Sequence, residues 1–267
     1  KAFRILSLMI YAMFLLAMCI VLSNKHNLHV DGFFSYGLAN QPYEGYIGMA
    51  PHDGIVYTPA ANAWQEYLTA HTDARFDYVN VWKNQSADVH PPLYYVLLHT
   101  VCSFFPGRFS IWFAAGINLA FAVLTLAVLR RILSSLGASE TAVLLFSAAF
   151  ALTAGFLSAV SLLRMYIMTM FWAALVCLLF LSLLHDSSAK IYAAIFAVCA
   201  AGGLTHYYFW VYLFFLCAVL GLYLFFTRAY RKLLALAGVT IASFAADAAI
   251  FPAMLFHIFT ENGDRGE

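Results

Sequence analysis

Apolar runs of bilayer-spanning length, separated by short polar breaks, fill most of this chain, and they limit its fold more than any single residue does. A helix needs about 20 apolar residues to cross the hydrocarbon of a membrane. Runs near that length fall at 3–23, 109–129, 141–161, 165–184, 190–206, 208–227 and 233–256. With 64% hydrophobic residues, 10% charged residues and a mean hydropathy of +0.81, the composition lies outside the range of a water-soluble domain. The expected fold class is therefore all-α, a polytopic membrane protein of about seven transmembrane helices. A net charge of +1 excludes a broad basic surface for nucleic acid. The expected partners are membrane lipids and whatever the polar segment contacts. Cys19, Cys102, Cys177, Cys199 and Cys217 all lie inside apolar runs without metal-ligand spacing, so they read as small hydrophobes and not as a disulfide framework.

One long polar segment, 24–92, follows the first run, which has no signal-type cleavage site and reads as a retained anchor. The segment should carry juxtamembrane helices, since the apolar spacing around 62–70 is helical. Beyond it, 93–105 is bounded by Pro92 and by Pro106-Gly107 and is too short to cross, so an interfacial or re-entrant helix is expected there. Lysine and arginine accumulate on the cytoplasmic side of short loops. With the amino terminus inside and 93–105 not spanning, Lys1, Arg4, Arg130, Arg131, Lys190, Arg228, Arg231 and Lys232 all fall on that side. The chain starts at Lys1 and stops in the polar run 261–267 just past an apolar segment, so 1–267 is expected to be a single, carboxyl-terminally incomplete module.

That topology gathers the polar residues at apolar boundaries on the outer face. Asp31 follows the first run, Asp88 and His90 close the long loop, Arg164 and Tyr166 open the fourth run, and His206 and Tyr207 join the fifth to the sixth. Charged groups at bilayer level are costly, about 2.5–3.5 kcal/mol at a helix centre, and usually face a cavity or a partner. A single external site is therefore expected. The rigid Pro91-Pro92 pair forces the residues before it to be extended, whatever the chemistry of Asp88 and His90.

On the residues Asp31, Asp88-Val89-His90-Pro91-Pro92-Leu93, Arg164 and His206, the chain resembles the GT-C glycosyltransferases that use polyprenyl-phosphate sugars, a superfamily that includes protein O-mannosyltransferases and aminoarabinose transferases. The resemblance implies a GT-C-type module of about seven helices with a long first external loop. It also implies transfer of a sugar, hexose and mannose-like, from a polyprenyl-phosphate donor to a hydroxyl of a glycolipid, polysaccharide or protein acceptor, with inversion, on the extracytoplasmic face. Under it Asp31 is the catalytic base, Asp88 a second catalytic carboxylate, and Arg164 the group that neutralises the lipid phosphate. His90, Tyr166, His206 and Tyr207 bind substrate. Relatives often carry Asp-Glu where this chain has Asp31-Gly32, so Glu44 or Asp88 would have to supply any second carboxylate.

Other readings of the same residues stay open. His90 with Asp88 could hold a divalent cation, but two ligands do not make a site. Arg164 could snorkel to headgroups, and His206 with Tyr207, Tyr208 and Trp210 could belong to the interfacial aromatic belt. Asp247, deep in the last run, needs a polar partner such as His206 or Arg164. The loop aromatics Tyr43, Tyr46, Tyr57, Trp64, Tyr67, Tyr78 and Trp82 suit packing more than sugar stacking, and Asn84-Gln85-Ser86 matches a glycosylation sequon. A transporter or lipid flippase, or a catalytically silent GT-C relative, are the rival functions.

Overall fold

In the computed structural model the described residues are 2–42 and 63–259, and every regular element among them is helical. The order is α1 (Ala2–Ser23), α2 (Val30–Asn40), α3 (Ala63–Leu68), α4 (Tyr78–Ala87), α5 (Leu93–Ser103), α6 (Ile111–Ser135), α7 (Glu140–Ala151), α8 (Ala154–Ser161), α9 (Tyr166–His185), α10 (Ala189–Gly203), α11 (Tyr208–Phe226), α12 (Tyr230–Ile250) and α13 (Ala253–Phe259). Helix starts follow local chemistry. The Asp77, Ser110, Ser139 and Thr153 side chains accept the amide protons of Asn80, Trp112, Ala142 and Phe156, satisfying backbone donors that have no partner within their helices.

Five helices, α1, α6, α9, α11 and α12, are long and apolar enough to cross a bilayer, and a sixth span results if α7 and α8 are taken together. The chain is a multi-pass membrane protein. The structure departs from seven uniform runs in two places. The run at 141–161 is broken, with α7 and α8 meeting at a bend of 55°. Proline is absent there. The Thr153 hydroxyl instead donates back to Phe150 O and caps α8, the local bonding by which threonine competes with a continuous helix. The run at 190–206 yields only the 15 residues of α10, which ends at the Gly202-Gly203 pair. As expected, 93–105 forms a short helix, α5, of 11 residues. After α12 the chain breaks at Phe251-Pro252, where the missing proline N–H and its clash with the preceding residue end the helix.

Among the described residues two larger cores and a small one of Val128, Phe171 and Ala174 between α6 and α9 hold the helices. Phe14, Met18 and Leu22 of α1 pack with Tyr36, Tyr94, Tyr95, Leu98, Ala114 and Phe156, while Val176, Phe180, Ile195, Phe209, Leu213 and Leu236 join α9 through α12. Phe214, Phe215, Val219 and Phe226 of α11 are exposed, as lipid-facing side chains should be. At the end of α10 the packing is backbone-close. A Cβ added at Gly202 would lie 2.6 Å from the Phe209 ring, and one at Gly203 would strike Asp247 Oδ2 and Trp210 Nε1.

Asp247 is fully buried, and neither of its oxygens meets a donor. The expected partners do not reach it. Its face of α12 lies against Gly203, while Arg164 is turned toward Asp31 and His90, and His206 toward the His90 ring. Gly203→Ala should accordingly destabilise the protein by about 1–3 kcal/mol, the cost of overpacking a tight contact. A lowered thermal midpoint in detergent, beside an unchanged one for Gly238→Ala, where a Cβ meets nothing within 4 Å, checks this.

Candidate functional site

The site begins at the start of α2. His29 is its N-cap, its Nδ1 accepting the Asp31 amide proton at 3.2 Å, which sets Asp31 in the first turn where the helix dipole favours a carboxylate. Gly32 follows. A Cβ there would lie 3.3 Å from Leu162 O, so glycine lets α2 press against the connection between α8 and α9. In that connection the fully buried Leu163 has φ +59, a left-handed conformation unfavourable for leucine, and the turn it makes delivers Arg164 to Asp31.

Arg164 Nη1 lies 2.9 Å from Asp31 Oδ2, with the guanidinium side chain 7% exposed and the carboxylate side chain 38% exposed. Its Nη2 is 3.2 Å from His90 Nε2. A guanidinium can only donate, so His90 Nε2 accepts and the ring proton resides on Nδ1. From there it is donated to Asp88 Oδ2 at 2.7 Å. Asp31, Arg164, His90 and Asp88 thus form one continuous chain of four side chains drawn from three parts of the sequence. Burial works to raise the Asp88 carboxyl, but the His90 ring, the Val89 N–H and the Arg164 guanidinium together hold it below its ordinary range.

His206 closes the other side, its ring 6.0 Å from that of His90 and 5.7 Å from that of Tyr166, while the Arg164 guanidinium carbon lies 5.8 Å from the centre of the Tyr166 ring. The backbone fixes this arrangement. Leu93 N–H, a free donor at the start of α5, bonds Leu204 O at 3.0 Å and so ties the Pro91-Pro92 limb to the turn between α10 and α11. All of these residues lie at one end of the helix bundle, opposite Arg130, Arg131, Lys190 and Arg231.

Burial first, then repulsion from the His90 ring when that ring too is protonated and from the Arg164 guanidinium, lower the His206 imidazole from its ordinary 6.5 to about 4. The unfolded chain therefore binds more protons than the folded one between these values, and stability that is present above pH 6.5 is lost as pH falls toward 4. His99, lowered chiefly by burial, acts in the same direction. His206→Gln should flatten, without abolishing, the fall in thermal midpoint across this window. Superimposable wild-type and variant profiles would remove the assignment.

Six of the expected site residues, Asp31, Asp88, His90, Arg164, Tyr166 and His206, come together. Tyr207 lies beside them, its hydroxyl bonded to His257 Nδ1 at 2.7 Å and its phenol near enough to feel the charge of Asp88. His257 itself, Tyr95 beside the His90 ring, and the Ser86 carbonyl were not expected. Only the position of His257 just past an apolar run could have signalled it. Glu44, Tyr43, Tyr46, Tyr57 and the Trp64 side chain lie outside the described residues. Asn84 of the sequon is buried, its amide donating to Leu38 O and Gln41 O, which leaves it ill placed for a glycan.

Asp88 and His90 do not fit a divalent cation. The unprotonated His90 nitrogen already accepts from a guanidinium, and among the described residues no group of three His, Cys, Asp or Glu side chains is placed to hold a metal.

No protein-family model, curated protein or solved structure matches the chain.

Proposed function

We propose that this protein is a membrane glycosyltransferase of the GT-C kind, which moves a hexose-like sugar from a polyprenyl-phosphate carrier to an extracytoplasmic hydroxyl acceptor with inversion. The observation that carries the reading is the Asp31–Arg164 contact at the membrane-boundary end of the helices, with an accessible carboxylate and a nearly buried guanidinium. Sugar transfer from a lipid phosphate needs those two groups side by side, a base for the acceptor and positive charge for the departing phosphate. On this reading the seven-helix module consists of α1, α6, the bent pair of α7 and α8, α9, α10, α11 and α12. The clustering of arginine and lysine at the opposite end supports an external site.

Phosphate oxygens match the planar fork of Arg164 and compete with Asp31 for it. Donor binding thereby frees the Asp31 carboxylate. An acceptor hydroxyl gives its proton to Asp31, its oxygen attacks the anomeric carbon from the face opposite the carrier, and the carbon–oxygen bond to phosphate breaks. Polyprenyl phosphate leaves with the electron pair, its added charge balanced by Arg164. His90, held in its Nδ1–H tautomer by Asp88, accepts from the second guanidinium nitrogen and keeps the fork in plane.

The test is release of polyprenyl phosphate from a panel of short-chain polyprenyl-phosphate sugars by the purified protein in lipid nanodiscs. Turnover on at least one donor supports the reading, and donor binding without turnover transfers it to a silent relative. Broken helices in matched halves would favour transport, and among the described residues α7 and α8 are the one bent pair of spanning length.

A further inference from the structure

His257 joins, in one ring, the two limbs that carry the candidate site. The break at Phe251-Pro252 turns α13 back toward the loop, where the buried Phe251 packs edge-on against Trp82 of α4, ring centres 5.2 Å apart. From that anchor His257 Nε2 lies 3.1 Å from Ser86 O, two residues before Asp88, and its Nδ1 lies 2.7 Å from Tyr207 Oη, one residue after His206. Ser86 O is among the last carbonyls of α4, which have no partner within the helix. A carbonyl only accepts, so Nε2 carries the ring proton and donates it. The neutral ring then accepts at Nδ1, and burial, which raises the Tyr207 phenol above its ordinary range, keeps that phenol a donor.

We propose that His257 is a positioning residue, a clamp that holds the His206–Tyr207 turn against the Ser86–His90 limb, so that the His206 and His90 rings face each other beside Arg164. The function it serves rests on the transferase reading, whereas the clamp itself does not. Its two hydrogen bonds are separable. His257→Asn keeps an acceptor where Nδ1 stands but has no donor reaching Ser86, Tyr207→Phe removes only the hydroxyl, and His257→Phe keeps the ring shape and loses both bonds.

The experiment is amide hydrogen exchange on the whole chain in nanodiscs, read separately at 86–93 and 204–208 against the middle of α6. Loss of one hydrogen bond of ordinary strength should raise exchange of the segment it holds by about fivefold. His257→Phe is expected to speed exchange in both segments and leave α6 unchanged. His257→Asn should speed 86–93 alone, Tyr207→Phe should speed 204–208 alone, and Tyr207→Phe added to His257→Phe should do nothing more. Unchanged exchange in His257→Phe, equal gains in both segments for His257→Asn, or additive effects in the double variant would each overturn the clamp. If His257→Phe does not fold, the two single-bond variants decide. The exchange result needs no turnover, so failure of the clamp and failure of the transferase reading are distinguishable. Where turnover is measured, His257→Phe raises the apparent donor KM while kcat at saturating donor stays near wild type, because a loosened His90 limb no longer keeps the Arg164 fork in plane.

Discussion

Asp31→Asn is expected to reduce release of polyprenyl phosphate by about 10²–10⁴-fold, the range for removal of a general base, while the protein still folds and binds donor. The amide has the carboxylate's shape and its oxygen still accepts from Arg164 Nη1, but it cannot take a proton from an acceptor hydroxyl. The structural penalty is small beside the catalytic one. A neutral acceptor replaces a charged one, in a pair whose carboxylate is more than a third exposed and therefore well screened. His90 Nε2 continues to accept from Nη2. Single-turnover rates with saturating donor, set beside thermal midpoints, separate the two effects. Retention of more than about a tenth of wild-type turnover would exceed what loss of a general base allows and would place the base elsewhere.

Arg164→Ala is expected to weaken donor binding by about 10²–10⁴-fold, from two charge-assisted hydrogen bonds of about 1.5–3 kcal/mol each. It also leaves His90 Nε2 without its donor and opens a void between Tyr166 and the Asp31 carboxylate, so the thermal midpoint should fall as well. Arg164→Lys decides whether charge or shape matters. One ammonium group cannot meet both Asp31 and His90 with the geometry of the fork, so lysine should restore folding more than donor affinity. Donor titrations followed by isothermal calorimetry measure this directly. An Arg164→Ala variant whose donor affinity is unchanged while kcat falls would mean that the guanidinium acts only on the transition state.

Much of the site is legible from position alone. Asp31, Asp88, His90, Arg164 and His206 each stand at the end of an apolar run, and a topology built on helix length and basic residues puts those ends together. The linkage among them is not legible, because the order Asp31, Arg164, His90, Asp88 depends on side-chain directions that a boundary position does not specify. Gly32 shows the limit most clearly. Beside Asp31 it looks like a lost carboxylate, whereas in the fold it is the contact that admits the Leu162 carbonyl and lets Asp31 reach Arg164. The partner of Tyr207 was hidden for the complementary reason: its neighbour His206 turns to the His90 ring while the Tyr207 hydroxyl meets His257, and adjacency in the sequence specifies neither direction. The break between α7 and α8 was hidden because Leu152-Thr153 carries no proline or glycine, and a single threonine hydroxyl gives no signal in a hydropathy profile.

The bond between His257 and Ser86 spans 171 positions of sequence, and that between Arg164 and His90 spans 74. Contacts so distant along the chain cannot assemble as the helices emerge one at a time from the ribosome, and the entropy of closing such loops must be met before any of them forms. The limb bearing Asp88 and His90 is made early and meets Arg164 only after α6, α7 and α8 have been inserted, with His257 arriving last of the three. In the order of biosynthesis, helix insertion comes first and the four-side-chain constellation afterwards, so a nascent chain halted before α8 would sit in the membrane with Asp31 and Asp88 already made and no Arg164 guanidinium to receive them.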